Sequence, residues 1–294
     1  MPITKAEDAM TEAERLWMAG ELRPALEAYR RARVYFHEVD DPEGEATTLT
    51  QIGALELQCG DPKAAREALV EARGILARLG DQHEQGAVLV VLGELSEKEG
   101  KLDDALDFYV SARDIFIAVG EATGQAHTWE KIGDLELGKG REDVAMDCYQ
   151  RAYVLYRDSG AVLREANVLN ALGDVLERLG RNEKAHQAYE CSLDLYRQNG
   201  DMLGEAEATA RLGRLLHRLG DVPHARESLT AAAHLFEKAG HMVGAGEALL
   251  ELARLETGRD DEGARHHYKK AAHHFDSAGL HAMKTQCVEE LGQL

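Results

Sequence analysis

Glycine recurs inside otherwise good helix-forming sequence at Gly53, Gly93, Gly133, Gly173 and Gly213, once every 40 residues. In a helix interior each glycine costs about 1 kcal/mol relative to alanine. Whatever offsets that cost must therefore recur with the same period. Two further series share it. Turn glycines stand at Gly20, Gly60, Gly100, Gly140, Gly180 and Gly220, and alanines five residues later at Ala25, Ala65, Ala105, Ala145, Ala185 and Ala225. A second turn glycine closes most units at Gly80, Gly120, Gly160, Gly200 and Gly240, and the last unit is one residue short, with Ala264 and Gly279 as counterparts. A register this regular along the whole chain marks a repeat array.

Each unit reads as two helices. In the first, Leu169, Leu172 and Val175 recur as Leu89, Leu92 and Leu95 and as Leu249, Leu252 and Leu255, a stripe down one helical face. In the second, Tyr109, Ala112 and Phe116 recur as Tyr149, Ala152 and Tyr156 and as Tyr189, Ser192 and Tyr196. The glycines between the helices end the first and permit a tight turn. Asp61–Pro62 and Asp221 read as start signals for the second. A mid-helix glycine such as Gly173 then makes room for close approach of a neighbouring helix. None follows the strand–turn–helix context of a phosphate-binding loop.

Leu-x2-Leu-Gly in the first helix followed by Ala-x3-aromatic-x2-Ala in the second resembles the tetratricopeptide repeat. The spacing is longer than the roughly 34 residues of the common form, and is similar to that of Pins/LGN-type and bacterial regulator-type arrays. The resemblance implies an all-α fold, a right-handed α-solenoid of seven helix-turn-helix pairs. The units are 4–39, 44–79, 84–119, 124–159, 164–199, 204–239 and 244–278, forming a single domain over 1–294. Residues 280–294 align as an eighth first helix, either a cap shielding the last apolar face or the start of a further repeat in a longer chain. The chain departs from the family where a tyrosine usually follows the first-helix glycine by three residues; Glu56, Ser96, Glu136, Leu176, Leu216 and Glu256 stand there. Ala13 and Ala253 replace the glycine in the outer units, and Trp129 takes the family's tryptophan position in one unit.

Composition narrows the function. The chain of 294 residues has a net charge of −19. Residues 1–150 hold 16 Lys+Arg against 31 Asp+Glu, a net of −15, and residues 151–294 hold 18 against 22, a net of −4. Such acidity argues against nucleic acid, whose binding rests on a basic surface that neutralises phosphates. No apolar run approaches the roughly 20 residues that span a bilayer, and the acidic start "MPITKAEDAMTEAERLW" lacks a signal-peptide core. Cys59, Cys148, Cys191 and Cys287 form no CxxC pair, which fits a reducing cytoplasm.

Nothing in the sequence marks a carboxylate pair held at split pKa values, so no catalysis and no cofactor are expected. In "RHHYKKAAHHF" (265–275), His266 and His273 lie two turns apart, roughly 10 Å along the axis. That is too far for one metal ion, and His274 falls at the packing position of Leu235.

In arrays resembling this one, the first helices line a concave surface. Positions six and three before the glycine, and one, four and five after it, share that face. Early units place Thr47, Thr50, Glu94, Glu97, Lys98, His127, Glu130 and Asp134 there; later ones place Asn167, Asn170, Asp174, Arg178, Arg214, His217, Arg218 and Arg254. The first unit adds Glu7, Met10, Glu14, Trp17 and Met18. The face is expected to be apolar at its N-terminal mouth, then acidic, then basic. Asn170 stands where kinesin-light-chain-like arrays place an asparagine that grips a peptide main chain, and its amide offers both donors and an acceptor. Arg214, Arg218 and Arg254 would pair with a ligand's carboxylates.

The expectation is a protein or peptide partner held in this groove, without membrane insertion. Two alternatives are a sensory module responding to a peptide or small effector, and a homo-oligomer assembled through the array ends.

Overall fold

The computed structural model describes residues 2–294, with side chains from residue 4 onwards. Fifteen helices and no strand occur among them. The first and second helices of seven pairs are α1 (Pro2–Met18) and α2 (Leu22–Glu38), α3 (Pro42–Cys59) and α4 (Pro62–Leu79), α5 (Gln82–Lys98) and α6 (Leu102–Val119), α7 (Ala122–Gly138) and α8 (Glu142–Ser159), α9 (Val162–Arg178) and α10 (Asn182–Asn199), α11 (Met202–Arg218) and α12 (Val222–Lys238), and α13 (Met242–Glu256) and α14 (Asp261–Ser277). The single helix α15 (His281–Leu291) follows.

The chain forms two compact bodies, Met1–Arg141 and Glu142–Leu294, each described by itself below.

Turn chemistry follows the period. Thirteen glycines, among them all six of the first turn series, take the left-handed conformation with φ between 70° and 85°, which a residue without Cβ adopts at little cost. Asp40 stands where the second turn glycine stands in later repeats, with φ 55°. The carboxylates of Asp41, Asp61, Asp81, Asp201, Asp221 and Asp260 cap the helices that follow them by accepting from a backbone N–H three residues on. Each satisfies a donor that the helix itself leaves open. The missing residue of the last repeat falls at the end of α13, which stops at Glu256 and turns through Gly258.

The mid-helix glycines sit beneath the side chain sixteen residues on. A methyl built on Gly173 would lie 2.3 Å from the Tyr189 ring, and one on Gly93 would lie 2.5 Å from Tyr109. Gly53 and Gly213 face Leu69 and Leu229 at 2.6 and 2.8 Å. A second series, Gly44, Gly204 and Gly244, lies beneath Phe36, Tyr196 and Phe236, the aromatic near the end of the preceding second helix. One set closes each repeat on itself and the other joins it to the next.

Where the family's tyrosine is missing, Glu56, Glu136 and Glu256 are at most 5% exposed. Arg30 reaches Glu56 at 2.5 Å from the preceding repeat. Arg141 bonds Glu136, while His267 Nδ1 lies 2.7 Å and Arg226 3.6 Å from Glu256. Arg30–Glu56 and Arg226–Glu256 join adjacent repeats, while Arg141–Glu136 and His267–Glu256 lie within one.

Candidate functional site

Within each body the first helices approach one another more closely than the second helices do. In the N-terminal body α5 touches both α3 and α7, and in the C-terminal body α11 touches both α9 and α13; second helices meet one another at isolated points at most. The first-helix layer is therefore the inner side of each body's curvature, and its half-buried positions form the candidate faces.

In the N-terminal body, Trp17 Nε1–H donates to Gln58 Oε1 at 3.1 Å, and Lys98 Nζ donates to the Leu57 carbonyl at 2.8 Å. These two bonds fix α1 to α3 and α3 to α5. The Tyr109 hydroxyl emerges over Gly93 and donates to Glu97 Oε2 at 2.6 Å. Burial, then the bond to Glu97 and the charges of Glu94 and Asp134, push its pKa far above the ordinary phenol value. Glu94, Glu97 and Asp134 thus converge on one point. Glu130 lies 4.0 Å from His127 Nδ1. Glu94 and Glu130 are half-buried and Asp134 is exposed.

In the C-terminal body the Tyr189 hydroxyl donates to Asp174 Oδ1 at 2.6 Å and to Glu177 Oε2 at 3.2 Å. Arg211 Nε lies 3.3 Å from Asp174 and its Nη1 3.6 Å from Glu207. Burial alone would lower the Arg211 pKa, and these carboxylates reverse the sign. The Tyr196 hydroxyl donates to Asn167 Oδ1. A cleft of about 210 Å³ opens beside α11, lined by Glu207, Arg211, Arg214, Phe236, His241 and Glu247 among others.

Several expected positions differ. Asn170 and Thr50 are not open to the groove: they are 4% and 3% exposed, as are Ala210 and Leu250 in the same register at 3% each. That register is closed off throughout the C-terminal body, whereas Met10, Val90 and Glu130 hold it half-buried in the N-terminal body. Asn170 Oδ1 has no hydrogen-bond partner among the described residues, an orphan of the kind that native interiors rarely keep.

The C-terminal face is also less basic than its arginines imply. Arg218 is paired with Glu177. Arg254 donates to Glu290 at 2.7 and 2.9 Å and to Glu251 at 2.8 Å. The hydrogen bond from Arg254, together with lesser contacts, lowers Glu290 to about 2. Arg178 and Arg214 make no ion pair among the described residues, and His217 is half-buried beside them in register. His274 packs as its register demanded, with Nε2 2.9 Å from Glu237. No cluster of three or more metal-ligating side chains occurs among the described residues.

Sequence reasoning missed the tyrosine hydroxyls, treating their rings as core alone. The signal was present in register: a tyrosine sixteen residues after the glycine, with acids one and four after it.

A family model described as tetratricopeptide repeat matches residues 44–118 and 124–198, just over half of the chain. No curated protein matches. Among solved structures, the chain is similar to a signal transduction ATPase with numerous domains that carries a tetratricopeptide repeat sensor, from Pyrococcus horikoshii (TM-score 0.78, 16% identity). That match covers 97% of this chain and 44% of that protein. It is also similar to a Rap protein complexed with competence and sporulation factor (TM-score 0.63, 17% identity, 99% of this chain and 87% of that one). A third likeness is to PilF of Pseudomonas aeruginosa (TM-score 0.62, 17% identity, 85% and 99%).

Proposed function

This chain belongs to the tetratricopeptide repeat family, and we propose that it is a non-catalytic scaffold that holds a segment of another protein against its first-helix faces. The observation that carries this reading is the contrast among cations on the C-terminal face. Arg211, Arg218 and Arg254 are held by carboxylates of the same body, while Arg178 and Arg214 are not. A charge on the inner face that no carboxylate of the described residues holds, half-buried at Arg214 and exposed at Arg178, is suited to a ligand's carboxylate. The ligand segment therefore carries acidic groups opposite Arg178 and Arg214, with the exposed Asn167 as a further polar contact.

Four separated cysteines, none of them disulfide-bonded, support a reducing cytoplasmic setting, and the acidic surface speaks against nucleic acid as partner. Self-association through the array ends is the alternative, distinguished by a mass that rises with concentration in light scattering.

The test is capture from native lysate by wild type and by an Asn167→Ala/Arg178→Ala/Arg214→Ala variant of matched helicity and melting. A protein retained by wild type and lost by the variant supports the reading. Identical catches overturn the assignment of the face.

A further inference from the structure

The first-helix face of the N-terminal body has a different chemistry from that of the C-terminal body, and the difference points to a second kind of ligand. In the C-terminal body the glycine +1 register reads Asp174, Arg214, Arg254, and the register six before the glycine reads Asn167, Glu207, Glu247. Those two registers are polar throughout. In the N-terminal body the same two registers bring in Ala54 and Ala87, and Met10, Trp17, Val90 and Val91 of neighbouring registers join them in an apolar centre; all six are half-buried, neither sealed into the core nor fully exposed. Met10, Trp17 and Val91 rest directly on the core beneath them, so the floor is fixed by packing.

Carboxylates flank this floor on both sides. Glu7 and Glu14 belong to α1, and Glu94, Glu97, Glu130 and Asp134 to α5 and α7. The cations on the same face are Lys98 and Lys131, and the Lys98 ammonium is spent on the Leu57 carbonyl. At the mouth, Met18 is 92% exposed beside Trp17, an unbranched thioether side chain of the sort that adapts to varied apolar partners.

We propose that this face docks a basic amphipathic helix of another protein, its apolar stripe on Val90, Val91 and Ala54 and its flanking Lys and Arg side chains against the two acidic margins. An apolar floor between two negative margins is the complement of an apolar stripe between two positive ones, which selects a helix laid in a groove over an extended acidic peptide. The inference rests on the reading that first-helix faces bind protein segments, and names the partner's chemistry for one of them.

The test uses the full chain and three labelled synthetic peptides of about 18 residues, or five helical turns. The first carries Leu and Lys in helical period, the second has the same composition scrambled, and the third carries Leu and Glu in the first pattern. Fluorescence anisotropy is expected to show saturable binding of the first, with the scrambled and acidic peptides weaker by about tenfold or more. Val90→Asp should weaken the first peptide by about tenfold, as expected for a central apolar anchor. Glu130→Gln/Asp134→Asn, isosteric changes that remove two charges from one acidic margin, should weaken it and flatten its dependence on salt. Arg178→Ala/Arg214→Ala should leave it unchanged.

Equal binding of the scrambled peptide, no binding, indifference to both N-terminal variants, or a dimer that buries this face overturns the proposal. Loss of the lysate partner through the Arg178 and Arg214 variant, together with no peptide binding, would overturn this inference alone and leave the scaffold reading standing.

Discussion

Gly173→Ala gives a quantitative test of the packing that defines the repeat. The new methyl would lie 2.3, 2.6 and 2.7 Å from three atoms of the Tyr189 ring, whereas carbon atoms rest at about 3.5–4.0 Å. The ring must retreat by about 1 Å. It is 1% exposed and its hydroxyl is tied to Asp174 and Glu177, so retreat loosens both packing and charge-assisted bonds. Alanine gains about 1 kcal/mol in helix propensity. Overpacking costs about 1–3 kcal/mol, and weakening a hydrogen bond to a charged group adds about 1.5–3 kcal/mol. The net expectation is destabilisation of about 2 kcal/mol. Gly213→Ala meets only Leu229, at 2.8 Å and beyond, and should cost less than half as much.

The assay is urea unfolding followed by circular dichroism, with amide exchange in α9 and α10 as a local readout because repeat arrays unfold in parts. The decisive comparison is a change of sign. In a Tyr189→Ala background the obstacle is gone, and Gly173→Ala should stabilise by about 1 kcal/mol. An equal penalty in both backgrounds, or a larger cost at Gly213 than at Gly173, would refute the argument.

Three other outcomes follow from the geometry. Arg30→Ala strands the 5%-exposed Glu56 carboxylate and should cost about 3 kcal/mol, whereas Glu56→Gln returns a 59%-exposed Arg30 side chain to water and should cost about 1 kcal/mol or less, both read by urea unfolding. Asp40→Gly relieves a left-handed non-glycine residue and should stabilise by about 0.5–1 kcal/mol in the same measurement. Glu290, held near 2 mainly by Arg254, contributes stability that is complete above the ordinary glutamate pKa of about 4.3 and fades as pH falls towards 2. Protection of α15 in amide exchange should therefore drop between those values in wild type, and much less so in Glu290→Gln.

The repeat architecture was legible because its causes are local and recurrent. Turn glycines had to occupy the left-handed region, and aspartates such as Asp61 and Asp221 had to cap the following helix. The candidate faces were only partly legible. Whether the position three before the glycine is open depends on how tightly neighbouring first helices approach, which a period within one repeat does not encode; Asn170 and Thr50 were misplaced for that reason. Arg218 and Arg254 were read as free because their carboxylates, Glu177 and Glu290, lie 41 and 36 residues away, on neighbouring helices. Glu56 and Glu256 were noticed only as departures from a pattern, since their partners come from other helices.

The uniform turns have a consequence for cutting and splicing this chain. Excising residues 202–241 would join Asp201 to Met242 and preserve the left-handed Gly200, the aspartate cap and the helix alternation. The backbone would accept the loss as a missing bead. The inner surface would not, because Arg218 leaves with the excised segment and Glu177 then meets Thr257 and Gly258, which carry no charge. Repeats of this chain are interchangeable as scaffolding and particular as surface, so shortened versions that fold well should still fail to keep its binding properties.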